Sequence, residues 1–182
     1  MGTTLGVVLC GGVSRRMGVD KATLLVDGVA MARRVADALA LAGCRPVVAI
    51  GGKPGDLGSF GLECIADLHP GEGPLGGILT ALSQASGGPV AVLACDLPDI
   101  EATTVAKLIE SLGEHHSAMA HSDRAEPLCA VWSPSAAPLL QARFELGERA
   151  LHRAIDGLDI VWVDVPKHEL RNVNTPADLR SL

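Results

Sequence analysis

Two places in the chain carry residue types suited to phosphate chemistry: a glycine- and arginine-rich stretch near the start, and an aspartate at position 96. In the first, Gly11, Gly12 and Gly18 let backbone N–H groups approach an anion closely, and Arg15, Arg16 and Lys21 supply three positive charges within seven positions. Such a loop suits a polyphosphate. It is neither of two well-known phosphate loops. Gly11-Gly12 followed by Gly18 does not supply G-x-G-x-x-G, and Lys21 lies three residues past Gly18 and precedes Ala22, which breaks G-x-x-x-x-G-K-[ST]. Asp96, in Cys95-Asp96-Leu97-Pro98, follows an apolar run, so its carboxylate should project from a strand tip with Pro98 fixing the exit. There a hard oxygen ligand can hold Mg²⁺ against nucleotide phosphates. Asp67 also follows a short apolar run, but its position alone leaves structural turn and ligand equally open.

These parts suit attack by a phosphate on the α-phosphorus of a nucleoside triphosphate, with release of pyrophosphate. Such a transfer depends on alignment and on neutralising charge, and needs no side-chain nucleophile. The sequence accordingly shows no convincing Ser/His/Asp or Cys/His set, and its histidines lack metal-ligand spacing and read as surface residues. Arg16 and Lys21 would stabilise the leaving pyrophosphate, Mg²⁺ on Asp96 would bridge phosphates, and the backbone of Leu9, Cys10, Gly11 and Gly12 would hold base and ribose.

The elements that must position these groups alternate. Leu5 to Cys10 is a short buried strand stopped by Gly11-Gly12, and an early strand of this kind usually sits centrally. Helical spacing runs from Met31 to Ala42 and stops at Gly43. Strands follow at Pro46 to Ile50, at Leu62 to Ala66 and at Pro89 to Ala94. A loop to Gly61 separates the first two, and a glycine-rich connector from His69 to Gly77 leads into a helix through Ile78, Leu82 and Ala85. After a helix from Glu101 to Leu112, a strand pair (Ser117 to His121, Glu126 to Trp132) turns at Ser122 to Ala125. Two helices, a strand from Ile160 to Val165 and a final helix capped by Thr175 complete the chain. This pattern predicts an α/β fold, a mostly parallel sheet with helices on both faces, in one domain spanning 1–182. Ligands then belong at the carboxyl ends of strands, near a switch in strand order.

Composition narrows the partners. A net charge of -6 and pI near 5.4 disfavour a general nucleic-acid or anionic-membrane binder. No apolar run is long enough to span a bilayer, and five scattered cysteines form neither a disulfide framework nor a zinc site, which together predict a cytoplasmic protein. Aromatics make up only 2% of residues, so Ala, Val, Leu and Ile must build the core.

Four segments match one family in order: LCGGVSRRMGVDKATLL from Leu9 to Leu25, Gly73-Pro74-Leu75-Gly76-Gly77, Cys95-Asp96-x-Pro98, and Asn172-Val173-Asn174-Thr175-Pro176-x-Asp178-Leu179. Together they resemble the nucleotidyltransferases that activate sugars and cofactors, and most closely the molybdenum cofactor guanylyltransferases. Glu126-Pro127-Leu128 and Leu146-Gly147-Glu148-Arg149 match more loosely. The resemblance implies a Rossmann-like three-layer nucleotidyltransferase fold that transfers GMP from GTP to the molybdopterin cofactor, with transient contacts to cofactor-insertion proteins or molybdoenzymes. It places the nucleotide at Leu9, Cys10, Gly11, Gly12, Lys21, Asp67 and Asp96, with Mg²⁺ on Asp96. It places the acceptor or the reaction at Gly73, Gly77, Arg149, Asn172 and Asn174. Where relatives often carry an Asn after the second strand, this chain has Ile50-Gly51-Gly52, so that contact must come from backbone or be lost. Cytidylyl or sugar-phosphate transfer by the same chemistry, and a non-catalytic GTP-binding module, are the competing expectations.

Overall fold

Leu5–Leu9 forms strand β1, buried at all five residues, and it lies inside a seven-stranded sheet as expected of an early apolar run. The computed structural model describes residues 2–11, 21–173 and 178. The capped C-terminal helix expected at Thr175 lies outside the described residues, as do Gly12, Arg15, Arg16, Gly18 and Asn174.

A 3-10 turn at Lys21–Thr23 leads into a small hairpin, β2 (Leu25–Val26) and β3 (Val29–Ala30). Its turn holds Asp27 and Gly28 at φ +49° and +79°, the left-handed region that two-residue hairpins require. Helix α1 (Met31–Leu41) buries Met31, Ala32, Val35, Ala36, Ala38 and Leu39 along one stripe and ends before Gly43 at φ +95°. Strand β4 (Val47–Ile50) follows.

Where the sequence predicts a loop up to Gly61, a short helix α2 (Pro54–Ser59) forms. Pro54 in its first turn has the φ a helix start needs, and the fully buried Leu57 anchors it, while Gly55 and Gly58 hide the helical pattern from a sequence reading. After β5 (Glu63–Ile65), the glycine-rich connector also ends earlier than expected, because α3 already begins at Gly73 and runs to Ser83. The glycines at 76 and 77 are therefore helix positions.

Strand β6 (Val90–Ala94) and helix α4 (Ala102–Ser111) precede the antiparallel pair β7 (Ser117–His121) and β8 (Ala125–Trp132). Helices α5 (Ala137–Glu145) and α6 (Leu151–Ala154) and strand β9 (Ile160–Asp164) follow. The sheet order is β5-β4-β1-β6-β8-β7-β9. Its pairings make six strands run one way, with β8 antiparallel to both neighbours.

Alternating residues divide the core. Val8, Ala49 and Leu93 pack with α1, α2 and α4 on one face, and Val7, Leu9 and Val92 pack with α3, α5 and α6 on the other. The chain winds outward from β1 through β4 to β5, then α3 carries it back to β6 on the other side of β1. That reversal is the switch point at which open α/β sheets bind ligands.

Close approach of α3 to the sheet depends on Gly77, whose added Cβ would stand 3.1 Å from Leu9 Cδ2. Gly77→Val is therefore expected to cost about 1–3 kcal/mol through overpacking. Urea unfolding should show a lower midpoint with an unchanged slope.

Candidate functional site

The ends of β5, β4, β1 and β6 lie side by side in the sheet, so the loop after β1, Gly51-Gly52 after β4, Asp67 after β5 and Asp96 after β6 border one crevice. Ladder bonds continue past the strands and fix their tips: Cys10 N–H donates to Ile50 O at 2.9 Å, Cys95 N–H to Leu9 O at 3.1 Å, and Gly51 N–H to Ile65 O at 3.3 Å. Gly51 and Gly52 both sit at φ +75°. A Cβ on Gly51 would lie 3.1 Å from Gly11 N, and one on Gly52 3.1 Å from Cys10 Cβ and 3.0 Å from Leu57 Cδ1. The glycine pair thus lets the β4 tip press against the β1 tip, with Gly51 facing the backbone of Gly11.

Lys21 and Asp96 meet across this crevice, with Lys21 Nζ 3.2 Å from Asp96 Oδ2 and both side chains about four-fifths buried, at 22% and 18% exposure. The Asp96 carboxylate projects from the β6 tip as expected, and its backbone is held by Val173 N–H donating to Asp96 O at 3.0 Å. The following loop is pinned twice. Arg34 of α1 donates to Pro98 O at 3.0 Å, and Arg171 donates to Asp99 Oδ2 at 2.8 Å.

Asp67 is tied into a turn. Its Oδ1 accepts from the hydroxyl of the fully buried Thr80 at 2.7 Å and from His69 N–H at 3.0 Å, anchoring the β5 exit to α3. The ambiguity left by its position thus gains a structural half, with Oδ1 committed to that anchor.

The acceptor residues named by the resemblance fall into two groups. Gly73, at φ +77°, lies beside Arg149, with a Cβ position 3.7 Å from Arg149 O. The Arg149 guanidinium stacks 3.8 Å over Phe144, donates to Phe144 O at 2.7 Å and pairs with Glu72. Gly77 is buried beneath Leu9 and serves helix–sheet packing. Asn172 lies instead by the β6 tip, where its side chain donates to Glu126.

Glu126 is the residue that the sequence singled out least. Its signals are a carboxylate followed by Pro127 inside a strand, both marks of irregular pairing. The β7–β8 register shifts there: Met119 pairs with Ala130, but Ala120 pairs with Glu126. Burial pushes the Glu126 carboxyl above the usual carboxylate range, and the nearby Asp96 charge adds to this; Arg124, Asn172 and the Leu128 N–H oppose it. Glu126, Asn172, Arg124, Lys167 and Arg171 also line a groove of about 770 Å³.

His168 is exposed, in keeping with the surface reading of the histidines. Glu101, His168 and Glu169 bring ligand atoms within 4.8 Å of one another, a proximity that chain spacing did not reveal. Glu169 is nearly fully buried and accepts from Glu101 N–H at 3.0 Å just before α4. Among the described residues no helix is long and apolar enough to cross a membrane.

A mostly parallel sheet with its cationic and acidic groups converging at the switch point defines a nucleotide-binding α/β protein of the nucleotidyltransferase class. The family of MobA-like NTP transferase domains matches residues 6–161, and the chain belongs to that family. It is 35% identical to a probable molybdenum cofactor guanylyltransferase of Opitutus terrae, covering 96% of this chain and 86% of that one. It is also 35% identical to the molybdenum cofactor guanylyltransferase of Rhodobacter capsulatus, covering 96% and 92%. Among solved structures, molybdopterin-guanine dinucleotide biosynthesis protein A from Archaeoglobus fulgidus superposes with a TM-score of 0.79 at 27% identity, over 98% of this chain and 96% of that one.

The raised pKa of Glu126 gives a stability test. A carboxyl that holds its proton more tightly when folded stabilises the fold below its unfolded pKa, near pH ~4.3, and loses that contribution as pH rises through its folded value. Glu126→Gln mimics the protonated form. Its stability relative to the unaltered protein should therefore be level at low pH and rise as pH climbs above the carboxylate range, as urea melts at a series of pH values would show.

Proposed function

We propose that the chain transfers GMP from GTP to the molybdopterin cofactor, forming molybdopterin guanine dinucleotide and releasing pyrophosphate. The observation that carries this reading is the Lys21–Asp96 contact at the carboxyl ends of β1 and β6, a cation and an acid facing one crevice. Family membership and the names of its full-length relatives support the guanylyl and molybdopterin assignments.

An oxygen of the acceptor phosphate forms a bond to the α-phosphorus. The bond from the α-phosphorus to the oxygen bridging to the β-phosphate breaks, and the electron pair leaves with pyrophosphate. The protein aligns the two phosphates and offsets their charge. Lys21 Nζ would meet the departing phosphates, a task that Arg16 would share. The backbone wall from Leu9 to Gly11, closed by Gly51 and Gly52, takes base and ribose, and Asp67 borders it from β5.

The donors at Asp96 fit Mg²⁺, since a largely buried carboxylate oxygen beside a second carboxyl, Glu126, favours a hard cation over an apolar group. Asp96 would hold the ion, which when bound neutralises phosphate charge.

With purified protein, molybdopterin and Mg²⁺, pyrophosphate release is expected from GTP in preference to CTP, ATP and UTP. Asp96→Ala and Lys21→Ala should each lower it by ~10²-fold or more. Release that prefers CTP would move the reading to cytidylyl transfer. GTP binding without release would leave only a nucleotide-binding module, and full activity in Asp96→Ala would overturn the site.

A further inference from the structure

We infer that Glu126 recognises the amino-pyrimidine edge of the acceptor's pterin, and that the groove beside it seats that ring system. The inference deepens the guanylyl-transfer reading and rests on it for the identity of the acceptor.

The local backbone is built to present this side chain. Regular antiparallel pairing after Met119 and Ala130 would set Ala120 opposite Cys129, yet Ala120 pairs with Glu126. Pro127 to Cys129 are the extra residues, and Pro127 contributes no N–H to a ladder. Such bulges bend a strand and re-aim a side chain, and they recur beside active sites. Here the bulge lies next to the β6 tip, since Leu93, one residue before the end of β6, pairs with Cys129.

The carboxylate is kept there at a cost. It is largely withdrawn from water and close enough to Asp96 to feel its charge. Among the described residues, Asn172 and the Leu128 N–H donate to it, whereas an ionised carboxylate offers about four acceptor positions. Against those described partners acceptor capacity is left for a ligand, and a ligand that supplies donors would relieve the burial penalty.

Position in the sheet says which ligand. The backbone wall of Cys10, Gly11, Gly51 and Gly52 lies on the β1–β4 side of Asp96, and the 770 Å³ groove lies on the β8–β7–β9 side. Asp96 stands between them, as the transfer requires of two substrates that meet at one phosphorus. The groove volume is within the range of small-molecule sites, ~300–1,000 Å³, and ample for a fused-ring acceptor. A 2-amino-4-oxopyrimidine ring carries two adjacent donors, the ring N–H and the amino group, at the spacing of two carboxylate oxygens. That geometry allows a paired hydrogen bond like the fork between arginine and a carboxylate.

Pterin and lumazine, which has an oxygen in place of the 2-amino group, serve as fluorescent probes. Binding of each is measured to the unaltered protein and to Glu126→Gln. The unaltered protein should prefer pterin by ~10-fold or more, and the amide, with one donor and one acceptor, should erase or reverse that preference. A side chain that only positioned Asn172 would leave the pterin-to-lumazine ratio unchanged on substitution. An unchanged ratio, or no preference in the unaltered protein, overturns the inference. Pyrophosphate release from GTP with molybdopterin, run alongside, separates the two failures. Release with an unchanged ratio removes only the role of Glu126, and no release with a shifted ratio removes guanylyl transfer but keeps the pterin site.

Discussion

The contact between Lys21 and Asp96 depends on strands that are distant in sequence and neighbours in space. The two residues are 75 positions apart, and they meet because β1 and β6 pair in parallel with their carboxyl ends level. A cation and an acid meet beside the β6 tip. Four-fifths burial of both side chains makes their pairing electrostatically consequential, because partly buried pairs are weakly screened by salt.

Small residues bring the strand tips together. Gly51 and Gly52 allow the β4 tip to touch Cys10 and Gly11, and Gly77 lets α3 lie on the Leu9 side chain, so the strand tips and α3 pack closely. Charged residues hold the other side. Arg34 and Arg171 converge on Pro98 and Asp99, and Val173 is bonded to Asp96 itself, so the segment from Arg171 to Val173 is part of the support of the loop after β6. The Glu126 bulge adds a feature whose burial opposes stability, the kind of conflict that functional sites sustain.

Much of this was legible in the residues. The buried run Leu5 to Leu9, the alternation of strands and helices, and the projection of Asp96 followed from apolar periodicity and the fixed exit at Pro98. The helix at Pro54–Ser59 and the early start of α3 did not, because glycines inside both segments mimic loop composition while tertiary packing of Leu57 and Leu9 decides the outcome. Asp67 could not be resolved by position because its structural partner, Thr80, is thirteen residues away on α3. Glu126 and the Glu101–His168–Glu169 cluster depend on strand register and loop packing, which one-dimensional spacing does not encode.

A double-mutant cycle on Mg²⁺·GTP binding, with Lys21→Met, Asp96→Asn and the pair together measured by calorimetry, tests the central geometry most directly. If both groups act on one triphosphate across one crevice, the two losses should be non-additive, with a coupling of about 0.5–3 kcal/mol. Losses that simply add would show that the two residues act on separate sites, and would contradict the account.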